Sequence, residues 1–182
     1  MDLIWIVVLG LLAWAVWIFN RLVRLRNRVR AAWGDIDVQL TRRHDLVPQL
    51  VAAVAAYASH EQALLTHVTE LRAAAVGTAG PARLADLEAS LEQGLGRLVA
   101  IAEDYPALQA SENFLALQRG LSDVEEHLQY ARRYYNGAVR DLNDRVAQFP
   151  DLLVARAFGY EEAQFYAASQ AERGVPEARI PA

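Results

Sequence analysis

The chain of 182 residues contains no cysteine and no lysine. Without cysteine there is no disulfide, no thiol nucleophile and no thiolate-bound metal. All eighteen basic residues are arginine, a side chain whose forked donors can bridge two carboxylates at once. Signatures of catalysis are missing as well. No GxSxG, P-loop or Rossmann glycine pattern occurs, and Gly94 and Gly96 stand isolated in a helical pattern. His60-Glu61 does not extend to HExxH, because position 64 is leucine. His60 and His67 lie about 10 Å apart along a helix, too far to share one zinc without another helix. His44 and His127 are remote from them in sequence. No cofactor, no metal site and no catalytic residue are expected.

Charge is also missing from Leu3 to Phe19, LIWIVVLGLLAWAVWIF. That run makes roughly 25 Å of helix, within the range that crosses a hydrocarbon core. Trp5 and Trp17 fall where the two interfaces would be. A cleaved signal peptide needs positive charge before the apolar run and a small-residue cleavage site after it. Here only Asp2 precedes, and Arg21, Arg24, Arg26, Arg28 and Arg30 follow. The reading is an uncleaved, single-pass anchor with Trp5, Trp17, Arg21, Arg24 and Arg26 at the membrane interface. Arginines just past a span stay in the cytoplasm, so the N-terminus is expected outside and the body in the cytosol. The same arginines could hold anionic headgroups, although a topology signal suffices to explain them. From Ala31 onward 13 arginines face 21 acidic residues, a balance of −8. Nucleic acid is therefore not an expected partner.

What the sequence has in abundance is helical periodicity. Trp33, Leu40, Val47, Val54, Glu61, Val68 and Ala75 recur at sevens, beside Ile36, Arg43, Leu50, Tyr57, Leu64 and Leu71. Only Arg43 and Glu61 interrupt this seam. VGTAGP, Val76 to Pro81, punctuates it. Leu84, Leu87, Leu91, Leu98, Ile101 and Tyr105 form a second repeat, then Asp104-Tyr105-Pro106 turns the chain. Phe114, Leu121, Leu128, Tyr135, Leu142 and Phe149 form a third, with Leu117, Val124, Ala131 and Ala138 beside it, up to Pro150. Pro48 removes the helical bond to the His44 carbonyl. The unbroken heptad phase favours a kink there; matching of helix lengths favours a fold-back at His44–Pro48. The expected fold is all-α: a transmembrane helix followed by an up-and-down four-helix bundle, with three long helices, the first kinked at Pro48, as the alternative. The expected layout is an anchor over 1–20, a basic juxtamembrane segment over 21–30, the bundle over 31–171 and a loose tail over 172–182. A short packed helix is expected over Asp151 to Ser169.

The polar residues on or beside the seams are Asp35, Asp37, Arg42, Arg43, Asp45, Glu61, Glu125, Arg132 and Asn136. Gln118, Glu125 and Arg132 recur at sevens and so flank a helix interface. They read as ion pairs that set helix register. The alternative is a polar pocket that senses a small ligand or performs hydrolysis, built from Asp35, Asp37, Arg43, Glu61, Glu125 and Arg132. Carboxylates beside arginine are held ionised, which suits structure better than general-acid chemistry. Asn136 and Asn143 either bond across a helix contact or are solvated.

These blocks carry a family likeness. WGDIDVQLTRRHDLVPQLV resembles the signature of the LemA family, as do AEDYPALQASENFLALQRGL and VEEHLQYARRYYNGAVRDLNDRVAQFP. Glu125, Arg132, Tyr135, Asn136, Asn143 and Pro150 fall on the shared pattern, while His44 replaces the family's usual tyrosine. The resemblance runs from the anchor to about Tyr160. It implies a membrane-anchored cytoplasmic helical bundle of the bacterial inner membrane, related to proteins of magnetosome membranes, and supplies no reaction. The expected role is an interaction or scaffold module and not an enzyme. Its expected partners are the lipid bilayer and other membrane proteins, with self-association as a further option.

Overall fold

The computed structural model describes residues 2–166, which are helical with no strand among them. Six helices follow in order: α1 Asp2–Ala55, α2 Gln62–Val76, α3 Pro81–Ala102, α4 Pro106–Gln109, α5 Glu112–Ala147 and α6 Asp151–Ala157. Helices α1, α2, α3 and α5 are the four long ones. Residues 167–182 lie outside the described part, and with them the tail expected over 172–182 and the end of the helix expected to reach Ser169. That helix ends at Ala157 instead, followed by Gly159 at φ 66°, a left-handed conformation that glycine adopts without Cβ strain.

The described residues divide into two compact units, one of 2–37 and 129–165, the other of 38–128 and 166. In the first unit, Leu3, Ile4, Trp5, Leu9, Leu12 and Trp17 on α1 are exposed. The stretch is long and apolar enough to cross a membrane. From its last turn onward, Ile18, Leu22, Val29, Ala32 and Ile36 are buried, as are Tyr135, Ala138, Val139, Leu142 and Val146 of α5. Trp33 meets Tyr135 edge-on at 5.4 Å between ring centroids. The segment after α6 is tied down by side-chain bonds to backbone. Asn143 Nδ2 donates to the Ala163 carbonyl (3.0 Å), and its Oδ1 accepts from the Ala163 N–H (2.8 Å). Tyr135 Oη donates to the Gln164 carbonyl (2.8 Å). Asn143 thus bonds the segment after α6 rather than another helix.

The second unit has a core of Val47, Leu50 and Val54 from α1, Leu65 and Val68 from α2, Leu91, Leu95 and Leu98 from α3, Leu108 from α4, and Phe114 and Leu117 from α5. Each such side chain is worth roughly 1.5–3 kcal/mol when fully buried. Helices α2 and α3 approach closely at Gly94, where a Cβ would come within 2.9 Å of Val68 Cγ2. The isolated glycine is thus a packing position. Of the first seam, Leu40, Val47, Val54, Val68, Ala75, Ile36, Arg43 and Leu50 are buried.

The chain does not fold back at His44–Pro48. Helix α1 runs through Pro48 and ends at Ala55, and residues 56–61 make the turn. Two things carry the helix past proline. Val47 and Leu50, on either side of it, are buried at 1% and 0% exposure, so unwinding there would strip the core. The His44 carbonyl, left without its helical donor, accepts Arg72 Nε from α2 at 3.1 Å. That bond also shows that α2 returns alongside α1. The fold-back expected from length matching exists, about a dozen residues later than His44–Pro48. It yields segments of comparable length: roughly 27 Å of α1 within this unit, about 22 Å of α2 and about 33 Å of α3 at 1.5 Å per residue. Ser59, His60 and Glu61 form the turn with no glycine or proline, so the punctuation that marks most turns was lacking.

Two outcomes are expected. Arg72→Ala should lower stability by about 1–2 kcal/mol, because it leaves a half-buried carbonyl unpaired. In a Pro48→Ala background the restored N–H supplies that bond, and the same change should cost less. Thermal melts of all four chains give the coupling; equal costs in both backgrounds would show that Arg72 does not serve that carbonyl. Burial raises the pKa of the Tyr135 phenol above 10.0, so the fold favours its neutral form. Its contribution to stability is complete below about pH 10, the unfolded value, and is lost as pH rises through the folded value. The difference in melting temperature between wild type and Tyr135→Phe should therefore shrink or invert above pH 10. A constant difference from pH 7 to 11 would show that the phenol ionises equally in both states.

A buried charge lock as candidate functional site

Arg43 and Glu88 occupy equivalent places on two apolar seams. Arg43 lies in the line Ile36–Arg43–Leu50 on α1. Glu88 lies in the line Glu88–Leu95–Ala102 on α3. Helical periodicity forces both toward the core, where they are 3% and 0% exposed. A lone buried charge would cost several kcal/mol; opposite charges that meet offset it.

They do meet. Arg43 Nη1 donates to Glu88 Oε2 at 3.2 Å, and Arg43 Nη2 donates to Glu125 Oε2. One guanidinium thus bridges carboxylates on two other helices, α3 and α5. His44 Nε2 donates to Glu88 Oε1 at 2.6 Å, so both oxygens of the deepest carboxylate accept from α1. Arg72 joins α2 to the His44 carbonyl. All four long helices of the unit are thereby linked around residues 43–44.

The remaining sequence-derived polar residues are placed differently. Arg42 pairs with Asp123 at 2.7 Å on a half-exposed face. Asp35, Asp37 and Asp45 are exposed. Glu61 begins α2 at its N-cap position, without a side-chain cap bond; the seam phase carried it into the turn, not into a buried pair. Arg132 and Asn136 are half-buried on the part of α5 that belongs to the first unit. At the expected membrane interface, Trp5 and Trp17 are 65% and 54% exposed. Arg21 lies over the Trp17 ring (5.5 Å) and Arg26 over Tyr160 (5.0 Å).

Glu88 and His44 were missed as site residues. The signal for Glu88 was present: a glutamate seven residues before Leu95 and fourteen before Ala102 on a seam position, four after Leu84 and three before Leu91. It is the acidic counterpart of the arginine that interrupts α1. The signal for His44 was its adjacency to Arg43 and its departure from the family's tyrosine.

In this arrangement each carboxylate is engaged by a cation or an imidazole from another helix, which orients helices and leaves no oxygen of Glu88 without a donor. Glu88→Gln should destabilise the chain by roughly 3–5 kcal/mol, the usual cost of removing one member of a buried pair. Glu125→Gln should cost less, since its side chain is 23% exposed. Arg43→Met combined with Glu88→Leu should cost far less than the two single changes summed, because an apolar pair of similar volume needs no counter-charge. Additive losses in thermal melts would show that the two groups are not coupled.

Comparison with known proteins gives a consistent picture. The model of the LemA family matches residues 32–179. The chain is 24% identical over 175 residues to magnetosome protein MamQ 2 of Paramagnetospirillum magneticum, covering 81% of this chain and 64% of that protein. It is 23% identical over 175 residues to magnetosome protein MamQ of Magnetospirillum gryphiswaldense, with the same coverage. It is 24% identical over 158 residues to Protein LemA of Metamycoplasma hominis, covering 85% of this chain and 71% of that protein. The match thus spans less than two thirds of the length of the MamQ proteins. With a family match over most of its length, on a helical chain whose Arg43, Glu125 and Pro48 carry the motif blocks, the protein belongs to the LemA family.

Proposed function

We propose that this chain is a single-pass protein of the bacterial inner membrane, with its N-terminus outside and its bundle in the cytoplasm, acting as a non-enzymatic interaction scaffold. One observation carries the reading: a single uninterrupted helix, α1, contains both the apolar span and the arginine that locks the bundle. The buried charges bridge helices, a use that builds a firm body on a membrane stem rather than a reaction centre. Likeness to magnetosome proteins supports a membrane setting. The partners are other membrane proteins or further copies of the chain.

Five arginines directly after the span support this orientation. A C-terminal tag should resist protease added to intact spheroplasts, become cleavable after lysis, and stay with membranes through carbonate washing. Cleavage in sealed spheroplasts would refute the orientation, and carbonate release of the intact chain would refute the anchor. The Arg43→Met/Glu88→Leu chain separates scaffold from enzyme. It should complement a deletion strain wherever its melting temperature matches wild type. Lost complementation at wild-type stability would make the charge lock a working site.

A further inference from the structure

Beside the end of the span, the first unit holds a groove of about 790 Å³ that the charge lock does not involve. Arg21, Arg24 and Arg28 of α1 line it together with Arg145 and Gln148 and the carboxylate of Asp141. Asp144 also lines it, so four guanidiniums face two carboxylates. The groove is therefore locally positive on a chain whose body from Ala31 carries −8. Its cations are unevenly occupied. Arg28 pairs with Asp141 at 3.4 Å. Arg145 donates to Gln148 Oε1 at 3.0 Å and faces Asp151 at 3.8 Å. Arg21 lies over the Trp17 ring at 5.5 Å, and Arg24 is exposed. Guanidinium forks of this kind match phosphate oxygens in pairs.

Height along α1 identifies the source of the phosphate. Arg21 lies about 3 Å of helix beyond Phe19 and Arg24 about 8 Å, at 1.5 Å per residue. The headgroup layer is roughly 5–8 Å deep on each side of the hydrocarbon core. Apolar groups adjoin the lining residues along the chain: Phe149 follows Gln148 and Phe19 lies two places before Arg21, Phe158 meets Phe19 at a tilt of 51° with ring centroids 4.7 Å apart, and Phe149, Leu153 and Phe158 are 74%, 58% and 61% exposed. A free anion would have no use for that apolar shelf, whereas a lipid presents phosphate and acyl chain together. We propose that this groove binds the headgroup phosphate of an anionic phospholipid, with Arg21 and Arg24 as its principal ligands and Arg145 closing it from α5. This rests on the membrane-anchored reading above.

The test uses the full-length chain in a neutral detergent. Native mass spectrometry follows retention of phosphatidylglycerol against phosphatidylcholine of the same acyl chains. Wild type should retain phosphatidylglycerol preferentially, and Arg21→Gln/Arg24→Gln should weaken that retention roughly tenfold or more, given the usual worth of an arginine at an anionic surface. Arg83→Gln/Arg97→Gln removes the same charge from exposed positions of α3 and should leave retention unchanged. If the double variant loses helical signal, Arg24→Gln alone replaces it. Equal retention of both lipids, equal loss in the two double variants, or displacement of lipid by 10 mM inorganic phosphate (about the level that saturates a weak free-anion site) would overturn the proposal. Flotation with phosphatidylcholine vesicles separates the two readings. A chain that floats without preferring phosphatidylglycerol refutes the groove alone, and one that fails to float refutes the anchor beneath it.

Discussion

The bundle turns on the ion pair between Arg43 and Glu88. Both side chains are forced inward by positions on apolar seams, and neither can reach water without unpacking a helix. Removing either leaves the other charged in a low-dielectric surround, a far larger penalty than loss of an ordinary surface pair. The pair constrains its neighbours too. Because Glu88 also accepts from His44 and Arg43 also donates to Glu125, the rotation and axial shift of α1, α3 and α5 are tied to one another. Apolar side chains alone tolerate small slips between helices; a guanidinium held between two carboxylates does not.

Pro48 follows the same logic. It lies in α1 four residues after His44, so the turn that presents the imidazole to Glu88 is also the turn whose carbonyl lacks a backbone donor. Arg72 satisfies that carbonyl, and α2 is thereby placed against the same stretch of α1. A local defect in one helix becomes the docking point for the next. That is why the proline is compatible with an uninterrupted helix.

The apolar stretch and the first helix of the bundle are one element. Here α1 continues from Leu3 through Arg43 without a break. The apolar stretch and the turn that bears Arg43 therefore belong to one helix.

The sequence by itself determined the helical class, the apolar span, the arginine cluster after it, the Val76–Pro81 loop and the seams along α1, α3 and α5. These are local properties: periodicity, an absence of charge, and glycine or proline punctuation act within a few turns of chain. It also singled out Arg43 and Glu125 as members of one polar set. Only the tertiary structure decided which residues answer them. Glu88 is legible as a seam interruption, yet its partner is 45 residues away, and no periodicity on one helix encodes the rotation of another. The turn at 56–61 was equally hidden. Pro48 carried the strongest breaker signal, but burial of Val47 and Leu50 and the bond from Arg72 outweigh it, and the chain turns where core contacts end rather than where helix propensity is lowest. Asn143, which hydrogen-bonds both backbone groups of Ala163, belongs to the same class. An asparagine on a helix states that a polar contact is available, and only the fold of the distant chain states with what.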